Sequence, residues 1–350
     1  ALIPFQAEPT HKYVPNCPED WHPIKIFNLL THTSGIPEYT PYPGIETERT
    51  PPENLLALFK NKPLDFRPGT QFRYSSAGYE VLGYIIQRVS GETYQQFLRQ
   101  NIFDPLRMKN SGYDSAHPTA KNHAKGYVYS DGGYQRAQYV DMGYSAGALY
   151  STVEDLYTWD RALEAGKLLP KTLLNEMFTP QGPDQSRYGF GWFISTEFGR
   201  KKYWHGGGDH GFTAINSWFP DQDAYVIVLD NMRSPVVDTV ARELAAIVFG
   251  QKYELPKVLK AITLSPQEMQ KFVGQYRLRP HLIFTVRLVG DQLTVQGTGQ
   301  SSFPMFPESK TEFFLKVMDS QISFVSDAEG KVTGLIVHQG GGDLPGKKIK

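Results

Sequence analysis

A chain of 350 residues, 40% hydrophobic and 13% aromatic, can bury a large core, and its length implies one large domain and a small one. Thirty-six Lys and Arg residues balance 36 Asp and Glu residues, for a formal net charge of zero. That balance excludes whole-chain attraction to nucleic acid or to an anionic membrane and favours a small-molecule or peptide substrate. The single cysteine, Cys17, closes no intrachain disulfide, and no run of about 18 apolar residues is present to span a bilayer. The opening ALIPFQAEPT lacks the basic and apolar segments of a leader. A leader removed beforehand would leave the same opening, so location stays open, as does oligomeric state.

In chain order, Ile24 to Leu30 reads as a short helix ending in the turn Thr31 to Gly35. Pro51 to Phe59 is a second helix with proline at its start. In the third, Ala77 to Ser90, Val81, Leu82, Ile85, Ile86 and Val89 recur at helical spacing and Gly91 supplies the stop. Tyr94 to Ile102 is the fourth. Thr152 to Ala165 is the fifth, expected to open on a Ser151 cap with Glu154 three residues later and to close at Gly166. Beyond about Gly189 the pattern turns to strands: GFGWFIS, FTAINSWFP and AYVIVLDN, with turns at Gly199 to Lys201 and Pro220 to Asp223. Pro235 to Phe249 returns to helix. After a connection at 251–264, the runs FVGQYRL, IFTVRLV, QLTVQG, EFFLKV, QISFVS and VTGLIVH predict a separate all-β domain, a small barrel or sandwich, over 265–350.

Four local patterns stand out. Tyr74-Ser75-Ser76 stands immediately before a helix, and a tyrosine there is a candidate base if a cation or hydrogen-bond donors stabilise its phenolate. Trp204-His205-Gly206-Gly207-Gly208-Asp209-His210-Gly211-Phe212 places three glycines next to a strand. Without side chains, such a strand lets an acyl group lie against backbone N–H groups, and His205 adds a donor; a tight hairpin with a surface histidine is the plain alternative. Leu29 to Pro37, with Thr31, His32, Thr33 and Ser34, reads as a structural helix end. Gly143 to Thr152 is a small-residue stretch suited to close packing. His205 and His210 lack the spacing of a zinc pair and a third ligand, so no metal is expected. The aromatic stretches Tyr39 to Pro43 and Tyr127 to Tyr139 are read as packing.

In this order the segments LLTHTSGIP, RYSSAGYEVLGYIIQRVSGETY, GYSAGALYSTVEDLYTWDRAL and WHGGGDHGF resemble the serine β-lactamase-like family of class C β-lactamases, D-alanyl-D-alanine peptidases, D-aminopeptidases and esterases. The resemblance implies an α/β (α+β) fold: an antiparallel sheet flanked by helices over 1–250, a linker at 251–264, and a barrel-like β-domain over 265–350. It implies a serine hydrolase that forms an acyl-enzyme on a β-lactam, a D-amino-acid peptide or an ester, without metal or organic cofactor. Carried onto this sequence, Tyr74 and His205 are the catalytic candidates, and Ser76, Gly207 and Gly208 the substrate-binding ones. Ser76 stands where the family has asparagine, so the carboxamide is lost. Gly208 falls where the family takes an oxyanion N–H. A periplasmic or secreted location is implied by the resemblance alone.

One departure is large. No serine in the 350 residues is followed three positions later by lysine, so the family's nucleophile motif is missing. The expectation is an N-terminally incomplete hydrolase domain whose isolated chain is unstable or inactive. The alternative is a non-catalytic binding or scaffold protein that keeps the acyl-binding groove.

Overall fold

The computed structural model describes every residue except 1–6, 39–50, 114–121, 131–132, 138–143, 184–186, 210, 235, 254–258, 281, 299–301, 317–319 and 340–341. Contacts divide the chain into two compact units, Ala1–Val128 with Arg136–Met232, and Tyr129–Gln135 with Arg233–Lys350.

The elements of the first stretch are α1 (Ile26–Leu30), α2 (Pro52–Ala57), α3 (Ser76–Ser90), α4 (Tyr94–Leu98), α5 (Asp104–Leu106) and the two-residue strand β1 (Gly112–Tyr113). They continue with the hairpin strands β2 (Tyr127–Ser130) and β3 (Gly133–Arg136), then α6 (Tyr144–Gly147) and β4 (Leu149–Tyr150), which pairs with β1. Helices α7 (Val153–Glu164) and α8 (Lys171–Met177) lead into a four-stranded antiparallel sheet in sequential order: β5 (Phe193–Glu197), β6 (Arg200–Asp209), β7 (Phe212–Phe219) and β8 (Ala224–Asp230).

Helix α3 organises this unit. Ser75 caps it by accepting from the Gly78 N–H, and Gly91, at φ 74°, closes it in the left-handed conformation that costs glycine least. Its Ala77, Val81, Tyr84 and Ile85 join Trp21, Leu29 and Phe59 in one buried cluster. A second cluster, with Leu163, Trp192, Tyr203 and Trp218, covers one face of the sheet. The small-residue stretch does allow a close approach: a Cβ at Gly83 on α3 would overlap Ser145 on α6. Where Tyr94 to Ile102 is expected as one helix, α4 ends at Leu98 and a π turn runs over Arg99–Phe103. The cap of α7 also falls one residue later than its pattern implies. Thr152 accepts from the Asp155 N–H, while the Ser151 hydroxyl is held by Ser111 at 2.8 Å.

The second unit contains most of the β2–β3 hairpin, α9 (Val236–Val248), α10 (Pro266–Gln270) and a closed barrel of eight strands. These are β9 (Gly274–Arg279), β10 (Leu282–Val289), β11 (Gln292–Gly297), β12 (Ser302–Pro307), β13 (Glu312–Phe314), β14 (Ser320–Ser326), β15 (Val332–Gln339) and β16 (Gly342–Lys348). Closure pairs β16 with β9, so that every strand of the barrel has two neighbours. The alternation expected of strands is visible in β11, where Leu293, Val295 and Gly297 are buried and Gln292, Thr294 and Gln296 less so. Phe272, Tyr276, Phe313 and Phe324 fill the interior, with ring centroids 4.3–5.7 Å apart.

Candidate active site

The candidate residues converge in the first unit. His32 follows α1 in the buried turn Thr31-His32-Thr33-Ser34-Gly35 and has φ 54°, a left-handed conformation unusual for a side chain of this size. The turn is fixed from within. Thr31 Oγ1 donates to the Phe27 carbonyl, Asn28 Nδ2 donates to Thr33 Oγ1, and a Cβ at Gly35 would overlap the Phe66 carbonyl. The His32 ring lies 4.2 Å from that of Tyr74 and 4.8 Å from that of Tyr79.

His205 lies on β6, and Tyr188 joins the two histidines. Tyr188 Oη is 3.1 Å from His32 Nε2 and 3.1 Å from His205 Nε2. Beyond them, His32 Nδ1 accepts from the Ser75 N–H at 3.1 Å, and His205 Nδ1 lies 2.6 Å from the Gly206 carbonyl. One arrangement of protons satisfies all four contacts. A carbonyl only accepts, so His205 carries its proton on Nδ1 and offers Nε2 to the Tyr188 hydroxyl. The Tyr188 oxygen then accepts from His32 Nε2–H, while His32 Nδ1 accepts from Ser75. Both rings are neutral in this array. Burial pushes the His32 pKa down to about 3, helped by His205, and burial likewise lowers that of His205.

Tyr74 is 44% exposed, with its ring 6.0 Å from that of His205. Its phenol is pushed up, first by burial and then by the charge of Glu38, opposite to what a base at neutral pH requires. Glu38 Oε2 accepts the Ser76 N–H at 2.6 Å, where the free N–H groups of α3 favour an anion. Ser76 therefore sits at the site with its backbone N–H already bonded.

The three glycines lie within a strand, not in a hairpin turn. Gly206, Gly207 and Gly208 pair with Ile215, Ala214 and Thr213 of β7. On the other side β5 reaches only from Arg200 to Trp204. Among the described residues no strand covers His205–Asp209 on that side. A Cβ at Gly207 would meet nothing within 4 Å, so packing inside the protein does not account for glycine there. His210, Gly143 and Tyr39 to Pro43 lie outside the described residues, as does part of Tyr127 to Tyr139.

The structure thus brings Tyr74, Ser76, His205 and the glycine strand to one site. Two further residues there were not singled out by the sequence patterns: Tyr188, and His32, which is read from sequence as part of a cap. The available signal is glycine punctuation. Tyr188 opens Tyr188-Gly189-Phe190-Gly191-Trp192, a tight reversal in which a Cβ at Gly189 would overlap the Met177 carbonyl and Gly191 has φ 79°.

A second serine–histidine–aspartate array lies on the barrel. Ser323 Oγ is 2.9 Å from His338 Nε2, and His338 Nδ1 is 2.6 Å from Asp343 Oδ1. Ser323 lies between Glu312 and Ile336 in the closed ladder, where backbone N–H groups are engaged in strand pairing rather than aimed at a developing oxyanion. Among the described residues no group of three or more metal-ligating side chains occurs, and no helix is long and apolar enough to cross a membrane.

Residues 7–249 match the Beta-lactamase family, and residues 259–347 match a domain of unknown function (DUF3471). The chain is 26% identical to Penicillin-binding protein 4* of Bacillus subtilis (strain 168), over 97% of its own length and 81% of that protein's. It is 30% identical to the Teichoic acid D-alanine hydrolase of Staphylococcus aureus over 52% of its length, and spans 46% of that relative. The octameric penicillin-binding protein homologue from Pyrococcus abyssi shares the fold, with TM-score 0.62 at 22% identity over 97% of this chain and 82% of that one. The matched family over most of the first unit and the order of the elements agree: this chain belongs to the serine β-lactamase-like family of hydrolases.

Proposed function

We propose that the chain carries the acyl-binding and proton-handling side of a serine-hydrolase site that forms an acyl-enzyme on a D-amino-acid ester, amide or peptide, or on a β-lactam. The observation that carries this reading is the open flank of His205–Asp209, three glycines long, beside Tyr74. An acyl group laid along that flank takes hydrogen bonds from the strand, and the Gly208 N–H receives the charge that develops on the carbonyl oxygen. Tyr74 exchanges the proton with the nucleophile and leaving group once a cation stands near it; Ser76 contributes a hydroxyl where relatives have a carboxamide. The relative that hydrolyses teichoic acid D-alanine supports the D-alanyl class.

A second reading, a non-catalytic acyl-binding protein, is favoured by the lack of any Ser-x-x-Lys in the 350 residues. Both readings require binding. Titrating the labelled chain with N-acetyl-D-alanine methylamide is expected to shift the amide signals of Gly206, Gly207 and Gly208; unmoved signals at saturating ligand would overturn both. The readings part over the protein as isolated from its source. The hydrolase reading expects a fluorophosphonate to label a serine three residues before a lysine, and the binder reading expects none.

A further inference from the structure

The donors and charges around the glycine strand define which acyl groups the site accepts. His205 has both ring nitrogens engaged within the protein, Nδ1 with the Gly206 carbonyl at 2.6 Å and Nε2 with Tyr188 at 3.1 Å. It has no N–H left to give a ligand. The Glu38 carboxylate, which also raises the Tyr74 phenol pKa, adds negative charge to the same site. Arg73, next to Tyr74 in the chain, pairs with Asp65 at 2.7 Å, and Lys202, on the same strand as His205, pairs with Glu197 at 2.6 Å. A ligand carboxylate entering here would exchange water for a neutral imidazole and a like charge, at a cost that an uncharged amide or ester does not meet.

We infer that this site selects against substrates bearing a free carboxylate, and that Tyr188, backed by His32, is the positioning residue that makes it so by capping Nε2 of His205. The inference rests on the acyl-binding reading above and narrows it to uncharged esters and amides. Tyr188 suits the role because its hydroxyl has one proton, which His205 Nε2 and the Tyr79 oxygen compete for, Tyr79 giving its own proton to the Leu30 carbonyl. With His32 Nε2–H donating to the phenol oxygen, the Tyr188 proton is left to give, and the unprotonated His205 Nε2 at 3.1 Å is the more basic of its two acceptors. Ser75 completes the chain by fixing the His32 tautomer from the cap of α3. A phenylalanine at position 188 would keep the ring of a residue that is 1% exposed and remove the hydroxyl, with its bonds to His205, His32 and Tyr79.

The test uses the whole chain, isotopically labelled, and two probes that differ only in charge: N-acetyl-D-alanine methylamide and N-acetyl-D-alanine. Shifts of the Gly206 to Gly208 amides are expected to report binding of the methylamide at least about tenfold tighter, equivalent to about 1.4 kcal/mol. In Tyr188→Phe the ratio is expected to fall to about threefold or less near pH 6, because the freed Nε2, unprotonated in the empty site, can take up a proton together with an entering carboxylate and donate to it. Imidazole nitrogen spectra should show His205 Nε2 changing from a hydrogen-bonded to a free unprotonated nitrogen, a change that loss of packing alone does not produce. Glu38→Gln should narrow the ratio while leaving the His205 signal in place, and it keeps the inference testable if Tyr188→Phe fails to fold. Equal or reversed affinities in the unmodified chain would overturn the inference and leave the acyl-binding reading intact. So would a Tyr188→Phe chain with ratio and nitrogen signal unchanged. Signals at Gly206 to Gly208 that respond to neither probe would overturn the acyl-binding reading and this inference with it.

Discussion

His32 is held in a left-handed turn, buried, and kept neutral, three conditions that together make it sensitive to pH. Its pKa when folded lies below the ordinary 6.5, at about 3, so its contribution is complete above pH 6.5 and is lost as pH falls toward 3. Each pH unit in that window removes up to about 1.4 kcal/mol for one such group. Urea unfolding at pH 7 and pH 5 should therefore show stability falling with acid. The fall should be shallower in His32→Asn, which tolerates the left-handed backbone and does not titrate. Equal slopes in the two chains would remove His32 from the account. At this scale the sequence was legible where a residue carries its own chemistry: Tyr74, His205 and the glycine run were singled out and stand together. Tyr188 was not, because a tyrosine becomes part of a site only through partners 156 and 17 residues away.

Between elements, contacts between α7 and the sheet include one buried acid. Asp160 of α7 accepts from Asn216 Nδ2 of β7 at 2.9 Å, while Asp160 Oδ2 and Asn216 Oδ1 have no hydrogen-bond partner among the described residues. Burial raises the Asp160 pKa to about 7 despite the Asn216 bond. The sign is opposite to that of a paired surface acid: the protonated form is the stable one, and stability is lost as pH rises from 3.8 through 7. Asp160→Asn should therefore stabilise the protein by about 1–3 kcal/mol at pH 8 and by little at pH 4. Thermal melting at the two pH values checks this, and a gain that is equal at both would refute it. The crossing of α3 and α6 offers a second check. Alanine is ordinarily better than glycine in a helix, by about 1 kcal/mol, but Gly83→Ala places its methyl on Ser145 and should destabilise by about 1–3 kcal/mol. Adding Ser145→Gly should recover part of that loss.

Element patterns were legible where one rule governed them. Helix α3 shows its apolar period and its glycine stop, and six of the eight barrel strands show runs of apolar and β-branched residues. Strands β12 and β16 were missed because Pro304, Pro307 and Pro345 argue against a strand interior. Among the described residues β13 reaches only Phe306 and Pro307, so Pro304 has a ladder partner there on the β11 side alone, Thr294. The Thr152 cap was misplaced by one residue because Ser151 and Thr152 are both good caps, and only the Ser111 contact, 40 residues away, decides between them.

Across the molecule, each unit has its own buried core, and in the barrel's a group of four aromatic rings packs among aliphatic side chains. Phe272 is fully buried and touches Phe313 and Phe324 through ring contacts, so Phe272→Ala should cost the barrel about 3–5 kcal/mol. Hydrogen exchange across β9 to β16 is the measurement, and unchanged protection would show that the ring is not central to that core. The order of motifs along the chain pointed to the family, and the sheet and barrel agree with it. The joint geometry of His32, Tyr188 and His205 came only from the folded chain.

The central claim is that these 350 residues hold an acyl-binding strand and its tyrosine without the nucleophile pair that acylation needs. Treating the folded chain with a fluorophosphonate, weighing the intact protein and mapping any modified peptide tests it most directly. The account predicts an unchanged mass, with Ser323 on the barrel wall as unreactive as the rest. A stoichiometric adduct on a single serine would contradict it, because a working nucleophile would then lie among these residues.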